Sequence, residues 1–542
     1  MALPGAAYST AGLEDARIAL VRHCRNDGYL YARIFADVAF SEDRLAADLT
    51  FRFEEGPQVR IANIVIRGNR HTEERIIESR MSLKPGDLYR LEQALQDQRN
   101  IASLGVFSSV RVRLIDEEAP AERKDVVAEV AERNRQSIEI WPGLSTADGP
   151  RLRLDYAHLN ILGTASTFNL SLKVNWKLFF GFYGEYADVL RKRYDHFTLR
   201  ERTEAEARAG IRTRLFTLPL EPAARFDLVG ERDNAIPYSL DALRAIFGLD
   251  VPLARAATMA LEPQFSLTNL RCYPSTPGGA GTDCEGDLLG ATRERRRIDK
   301  GLRAEFKVGP SFTYDGRDDA LSPRKGVFAN ARAVWAKGAT LPPGSDLGAR
   351  IDGDDWRPFS FTKLEATLSG YIPLGAAASL GLTARVGSIV RGDAPIDERF
   401  YLGGSNSLRG FQEDALLAQD HCVRWRRDIP ARPSCTETEQ VESKAGGFTP
   451  PVTQGGNQLA VVKSEVRLGI AEKTLLVVFV DAGNLWLVRP ALGRVVFRIN
   501  PGLGLRYTTP AGPIGLDLGV NTDPNPLKGE RWFSAQFAVG TF

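Results

Sequence analysis

The sequence predicts a transmembrane antiparallel β-barrel of about sixteen strands, preceded by small α+β domains. From residue 136 onward, apolar and polar residues alternate in one strand after another, as expected when one strand face meets lipid and the other a polar lumen. A soluble β-sandwich would also alternate, so alternation alone does not distinguish the two folds. The connections favour the membrane barrel, because tight turns alternate with long loops along the chain.

The composition limits the classes of protein to which the chain can belong. The chain of 542 residues is 43% hydrophobic, which is sufficient for packed cores, and its formal net charge is only +2. A net charge this small produces no strong positive potential that would attract a polyanion, so we expect no nucleic-acid partner. A membrane helix needs about 18 consecutive apolar residues, whereas the longest apolar run, 475–480, ends at Asp481. A helical membrane protein is therefore excluded.

Two pairs of cysteines lie in segments rich in glycine, proline and polar residues: Cys272 with Cys284, and Cys422 with Cys435. Their spacing suits disulfides at loop tips and hence an oxidising compartment. Metal binding is the alternative, but no histidine or further cysteine lies at ligand spacing near either pair. We therefore predict two disulfides, no metal site and no cofactor.

Residues 1–56 and 57–134 predict two α+β units. In the first, an apolar pattern of helical spacing precedes two alternating stretches, which indicates a helix and two strands. The second predicts the order β-α-α-β-β, with a helix that begins at Thr72 and carries acidic residues in its first turn. Residues 1–10 lack the basic start, apolar core and cleavage site of a signal peptide, so either the sequence begins after one or its N-terminus is cut short.

The second unit resembles a polypeptide-transport-associated (POTRA) domain in two phrases, Ile66–Asn69 and Leu104–Val110. The first unit resembles the last three elements of a preceding POTRA domain, so residues 1–56 are expected to be a truncated one. Two generic α+β modules are the alternative. The resemblance implies that such modules bind extended chains by strand addition, in which backbone hydrogen bonds accept many sequences.

Residues 135–542 are similar to the barrel of the BamA/TamA superfamily of outer-membrane assembly proteins. The matching motifs are Asp315–Asp319 with Ser322–Gly326, Leu402–Phe411, Phe479–Asn484 and Gly502–Pro513. Because the chain has room for few POTRA domains, it looks more like TamA than BamA. The resemblance implies the outer membrane of a Gram-negative bacterium, POTRA domains in the periplasm, and room for a TamB-like periplasmic partner.

In this family an arginine-glycine-aromatic motif on the sixth outer loop folds back into the lumen, where its arginine meets acidic side chains. Arg409, Gly410 and Phe411 occupy that position here. The expected carboxylates are Glu465, on an inward strand face, and Asp481, which is expected to end an apolar strand. A guanidinium matches two carboxylates in a fixed fork, which lysine cannot do. A solvated loop arginine is the alternative, but a glycine-rich segment suits close backbone packing better.

The family's proposed lateral gate is a weak pairing between the first and last barrel strands, through which client strands reach the bilayer. The predicted first strand, 136–145, contains Pro142 and Gly143, and proline has no N–H to donate to a sheet. The predicted last strand, 532–542, contains Gly540, near the place where the family's final strand bends inward. Alternatively, Pro142 simply begins a shortened strand.

No nucleophile and base form a recognisable catalytic motif, and the five histidines are scattered, so we do not expect an enzyme. The expected function is a TamA-type insertase whose partners are client outer-membrane or autotransporter polypeptides and the lipid bilayer. One alternative is a two-partner-secretion transporter, which passes an unfolded polypeptide through its pore. Another alternative is a passive pore, but this function would not explain the POTRA domains. Residues 177–204 are expected to form a long outer loop rather than two more strands.

Overall fold

The structure is a computed structural model in which the chain forms two compact units. It describes residues 8–177, 202–271, 301–341, 357–425, 437–441 and 453–539, apart from the single positions 44, 217, 236, 237, 321, 492, 494, 510 and 511. The first unit comprises the residues up to 137 together with 157–168, and the second comprises 138–156 and the residues from 169 onward. Each unit is described by itself below.

The first unit begins with one helix and a two-stranded antiparallel sheet: α1 (Thr10–Asn26), β1 (Arg33–Phe40) and β2 (Ala47–Glu54). The following segment has the predicted β-α-α-β-β order, with β3 (Arg60–Arg67), α2 (Glu74–Glu78), α3 (Leu91–Ala102), β4 (Phe107–Leu114) and β5 (Arg123–Glu132). In its sheet β5 is central, parallel to β3 and antiparallel to β4. Fully buried aliphatic side chains from the strands and both helices form its core, among them Ile61, Ile77, Ile101 and Val126.

Glu132 ends β5 and fixes the segment that leads into α2. Its carboxylate accepts hydrogen bonds from the backbone N–H groups of His71 at 3.0 Å and Thr72 at 2.8 Å, and from the Thr72 hydroxyl at 2.7 Å. Burial, the largest single effect, would raise the pKa of this carboxyl, but the hydrogen bonds from His71 and Thr72 together lower it to about 2. The Glu132 carboxyl is therefore ionised in the folded unit.

The barrel wall contains eighteen strand segments, which are β6 (Gln136–Ser145), β7 (Gly149–Ile161), β8 (Ser166–Trp176), β9 (Thr203–Arg214), β10 (Ala223–Asn234), β11 (Ser239–Ala254), β12 (Ala257–Leu261), β13 (Gln264–Arg271), β14 (Gly301–Val308), β15 (Pro310–Asp315), β16 (Gly326–Leu341), β17 (Arg357–Pro373), β18 (Ala378–Gly392), β21 (Gln458–Ala471), β22 (Thr474–Trp486), β23 (Arg498–Thr509), β24 (Gly512–Val520) and β25 (Phe533–Val539). Two short strands, β19 (His421–Trp425) and β20 (Glu437–Val441), pair with each other and are not part of the barrel sheet.

These segments form sixteen wall strands, which confirms the predicted fold class. β12 and β13 both pair with β11, one after the other, so together they are a single interrupted strand. β14 and β15 share β16 in the same way, with Gly309 between them. A Cβ on Gly309 would collide with the backbone oxygen of Ala333, so the close approach of two strands requires glycine there.

The side chains of the wall alternate as predicted. On β17, Leu364, Leu368 and Ile372 point outward and are 41–56% exposed, whereas Ser369 on the inner face is 5% exposed. An outward apolar surface opposite a polar inner face is the arrangement that suits a bilayer. Within the described ranges, no helix is long and apolar enough to cross a membrane.

β8 and β9 are neighbours in the wall, so no further wall strand lies between them. β9 begins at Thr203 and so takes the last two residues of the segment 177–204, and the prediction that the rest of this segment is a loop stays a prediction. Residues 178–201 themselves lie outside the described residues.

The connection between β18 and β21 packs inside the barrel. We call its residues 393–420 and 453–457 the inward loop. Its apolar side chains, with Leu402 and Leu408 both 0% exposed, form one buried cluster with side chains of the wall. That cluster comprises Ala336, Phe361, Ile389, Ala394, Phe400, Leu402, Leu408, Phe411, Leu416, Ala418, Leu459, Val461, Leu485 and Leu487.

Candidate functional site

Arg409 is the central residue of the candidate site and is only 1% exposed. Its Nε and Nη2 donate to the two carboxylate oxygens of Asp481 at 2.8 and 2.7 Å, and its backbone N–H donates to Asp481 at 3.1 Å. Its Nη1 donates to Glu465 at 3.2 Å. Charge-assisted hydrogen bonds from a planar fork to two carboxylates are strong and specific to arginine. We call Arg409, Gly410 and Phe411 with Glu465 and Asp481 the latch.

Aromatic and ionic neighbours complete the environment of Arg409. The guanidinium lies over the ring of Phe479, with 3.4 Å between Cζ and the ring centroid. Arg467 donates to the other oxygen of Glu465 at 2.7 Å, so this carboxylate is held between two guanidinium groups. Every charge at the centre of the latch thus has a partner of opposite sign, which is the condition for burying charges in a folded protein.

Glycines shape the backbone of the latch. Gly403 and Gly404 have φ angles of 125° and 88°, a region that favours glycine. The Gly404 N–H donates to the Phe411 carbonyl at 3.1 Å and closes the segment into a compact turn. A Cβ on Gly410 would collide with the Asn500 side chain, so only glycine lets the backbone after Arg409 approach β23.

The prediction that Asp481 ends an apolar strand is wrong. Asp481 lies inside β22, which continues to Trp486, and it is 0% exposed. The neighbouring Val480 points outward and is 45% exposed. The carboxylate interrupts the apolar run because position 481 faces the lumen and the latch.

Two acidic residues follow the latch in the inward loop. Burial raises the pKa of Glu413 to about 8, and the neighbouring Asp414 carboxylate adds to that effect. Burial likewise raises the pKa of Asp414 to about 6. Their environment therefore disfavours the ionised form.

A second ionic contact of the inward loop was missed by sequence reasoning. Arg303 on β14 is 2% exposed and donates through Nη1 to Asp397 at 2.6 Å and through Nη2 to the other oxygen of that carboxylate. Lys307, on the same face of β14, is paired with Glu398. We call these four residues the second clamp. The available signal was the alternation of charged residues on a barrel strand, but their partners lie in a distant loop.

The seam between the last strand, β25, and the first strand, β6, is sparsely paired. Among the described residues, β25 pairs with β6 only at Ala538–Ser145 and Val539–Leu144. Beyond these pairs, the backbone N–H of Thr146 donates to the Phe537 carbonyl at 2.9 Å. Pro142 and Gly143 lie inside β6, which begins at Gln136, so the alternative that Pro142 begins a shortened strand is wrong.

Several predicted site residues fall outside the described part of the chain. Gly540, Cys272, Cys284 and Cys435 are among them, and only the backbone of Cys422 is described. Both disulfides therefore stay predictions. Within the described ranges, no three His, Cys, Asp or Glu side chains are grouped as a metal ion would require.

Comparison with known proteins places this geometry in a family. Residues 160–542 match the model of the Omp85 superfamily domain. Residues 59–133 match the POTRA model, which is described as a surface antigen variable number repeat.

Two curated relatives are outer membrane protein assembly factors named BamA. The protein from Nitratidesulfovibrio vulgaris is 21% identical over 72% of this chain and 43% of its own length. The protein from Neisseria meningitidis serogroup B is 21% identical over 85% of this chain and 51% of its own length. The chain thus spans about half the length of these relatives.

A solved structure has the same fold. BamA from Haemophilus ducreyi lacking POTRA domains 1–3 superimposes with a TM-score of 0.69 at 16% identity, over 99% of this chain and 95% of that one. Because the superfamily model matches most of the barrel and the neighbouring fold agrees, this chain belongs to the Omp85 superfamily.

Proposed function

We propose that the chain is an outer-membrane assembly factor that places client strands in the bilayer through the seam between β6 and β25. The observation that carries this proposal is a contrast in pairing. β25 pairs with β24 from Ile514–Val539 to Val520–Phe533, but with β6 at only two described residue pairs. Unpaired backbone groups in lipid cost several kcal/mol each, so an extended client strand that pairs with β6 when the seam opens is stabilised.

The organisation of the chain in this proposal follows the family. Residues 1–56 contribute POTRA-like elements, residues 57–134 form a POTRA domain, and residues 135–542 form the barrel. The POTRA domains lie in the periplasm of a Gram-negative bacterium and the barrel in its outer membrane. The names of the two BamA relatives support an assembly role. A TamA-like subtype, a TamB-like partner, and outer-membrane or autotransporter clients are further parts of the same proposal.

The latch has a structural role in this proposal. Its buried ion pairs hold the inward loop against β21 and β22, so that the lumen is filled rather than open. A filled lumen is unsuited to passive diffusion. The wall can then open at the seam while the remaining strands keep their pairing.

The seam is tested by joining its strands. Leu144 and Val539 are paired in register, so Leu144→Cys with Val539→Cys in a Cys24→Ser background allows a disulfide across the seam. The matched control joins β24 to β25 through Leu516→Cys with Phe537→Cys, which are also paired in register. We expect the seam disulfide alone to block insertion of client barrels in cells, and reduction to restore it.

The identity of clients is tested by photocrosslinking from β6. Ile138 and Ile140 are 66% and 61% exposed and suit a photoreactive side chain. Capture of an outer-membrane or autotransporter precursor would support the proposal. Normal client insertion with the seam joined would refute the gate. Capture of a secreted polypeptide instead of a barrel precursor would indicate a two-partner-secretion transporter.

A further inference from the structure

Gln536 on β25 lies between the latch and the seam. It is buried, with 4% of its surface exposed, on the inner face of the wall. Its Nε2 donates to the Phe411 carbonyl at 3.0 Å and to the Ser534 hydroxyl at 2.8 Å. Its Oε1 accepts a hydrogen bond from the Thr146 hydroxyl at 3.2 Å. One side-chain amide therefore touches the latch with its nitrogen and the seam with its oxygen.

The latch determines which way this amide points. A backbone carbonyl such as that of Phe411 can only accept hydrogen bonds, so the nitrogen of Gln536 must face it. The amide oxygen is then directed at Thr146. If the amide were turned over, its oxygen would face the Phe411 carbonyl in a buried site, and the carbonyl would keep only its hydrogen bond from the Gly404 N–H.

Thr146 in turn holds the end of the seam. Its backbone N–H donates to the Phe537 carbonyl at 2.9 Å, and its hydroxyl oxygen accepts from the Phe537 N–H at 3.3 Å. The hydroxyl also lies 3.5 Å from the Phe537 carbonyl, which is farther than its 3.2 Å bond to Gln536. A hydroxyl has a single proton. When that proton is given to Gln536, the oxygen lone pairs are free to accept from Phe537. The orientation of Gln536 thus supports a side-chain bond that extends the short β6–β25 ladder.

We propose that Gln536 is a positioning residue that couples the latch to the seam. While Arg409 holds the inward loop in place, the Phe411 carbonyl orients Gln536, and Gln536 orients Thr146 so that the seam stays closed. When the latch withdraws, the Gln536 amide loses the Phe411 carbonyl and keeps only Ser534 as a partner for its nitrogen. Its oxygen is then no longer held toward Thr146, whose hydroxyl can turn to the Phe537 carbonyl. The seam then opens more often. This inference rests on the proposed function in taking the seam as the site of opening.

Hydrogen exchange of the purified full chain in lipid nanodiscs measures seam opening, in peptides that cover residues 144–149 and 533–539. Gln536→Leu removes the amide and Thr146→Val removes the hydroxyl, so each should speed exchange at the seam roughly 2- to 10-fold, as expected for one hydrogen bond. Thr146→Ser keeps the hydroxyl and is the matched control, with exchange close to that of the natural chain. Unchanged exchange in both Gln536→Leu and Thr146→Val would overturn the proposal.

Coupling is distinguished from a merely structural role by a double-mutant cycle. Arg409→Lys weakens the latch and should speed seam exchange when Gln536 is present, but add little when Gln536 is already leucine. Fully additive effects would overturn the coupling. If Arg409→Lys fails to fold, the cycle is repeated with Glu465→Gln. This change is milder because it leaves the hydrogen bonds from Arg409 to Asp481 in place.

A client-insertion assay on the same variants separates this inference from the proposed function. Non-additive exchange with normal client insertion when the seam is joined would refute the gate and leave the coupling intact. Additive exchange, together with insertion that is blocked by the seam disulfide, would refute the coupling and leave the gate intact.

Discussion

The latch and the seam differ in how completely their polar groups are bonded. At the latch, Arg409 and Asp481 are buried and joined through two side-chain hydrogen bonds and one backbone hydrogen bond. At the seam, β25 meets β6 at two described residue pairs, one of which contains Val539, the last described residue. Removing one partner of a buried ion pair costs much more than removing one exposed ladder bond. The latch therefore holds the loop more firmly than the two described pairs of the seam hold β25 to β6.

The same contrast holds within the closed sheet, between the continuously paired wall strands and the seam. Wall strands such as β16 and β17 pair continuously from Gly326–Tyr371 to Thr340–Arg357, so their separation would break many hydrogen bonds at once. Among the described residues, β25 and β6 are joined at only two residue pairs.

Loss of the latch arginine should have the largest effect. Arg409→Ala leaves Asp481 buried without its cation, and breaking such a pair costs about 3–5 kcal/mol. We expect a clearly lower temperature for the loss of the folded, fast-migrating barrel on gels run after stepwise heating. Arg391→Ala, at an exposed arginine of β18, is the matched control. Equal heat stability of the two variants would contradict the comparison.

The second clamp should affect stability but leave the seam unchanged. Asp397→Asn removes the charge that faces Arg303, and a hydrogen bond to a charged group contributes about 1.5–3 kcal/mol. Heat stability should fall by less than in Arg409→Ala, whereas hydrogen exchange at residues 144–149 should stay as in the natural chain. Asp393→Asn, at an exposed position of the same loop, is the control. Faster seam exchange in Asp397→Asn would show that the latch has no special connection to the seam.

The first unit should respond to acid through Glu132. Its pKa is about 2 in the folded chain, against an ordinary value of about 4.3. A lowered folded pKa gives stability that is complete above the ordinary value and is lost as pH falls toward 2. Exchange at residues 71–78, corrected for intrinsic rates, should therefore speed up between about pH 4.5 and 2. Glu132→Gln should flatten this dependence, and Glu122→Gln, at an exposed position, should not.

Restoring a donor to the seam should have the smallest effect. Pro142→Ala returns one backbone N–H to β6, and a single hydrogen bond contributes about 0.5–1.5 kcal/mol. We expect little change in heat stability and slower exchange of the seam peptides. Stabilisation well beyond one hydrogen bond would mean that Pro142, rather than the small number of residue pairs, limits the stability of the seam.

Local pattern made much of the architecture predictable. The β-α-α-β-β order, the bounds of β6, and the outward direction of Leu364 and Leu368 follow from residues that are neighbours in sequence, because strand alternation and helix spacing are local properties. Arg409, Glu465 and Asp481 were named as partners because a family motif identified the loop. Contact between the inner face of β14 and Asp397 could not be predicted, since these residues are 94 positions apart and no motif connects them.

The sequence predicts a barrel with an arginine-bearing loop, because two-residue periodicity and glycine-rich segments are visible along the chain. The family motif also indicated Glu465 and Asp481 as partners of Arg409, whereas the other contacts of the loop are visible only in the folded chain. Asp481 proved to be a lumen residue inside a strand, Arg303 became a second anchor, and Gln536 came to lie between Phe411 and Thr146. The reason is physical: closing a sheet brings its first and last strands together, and no local pattern records which side chains then meet.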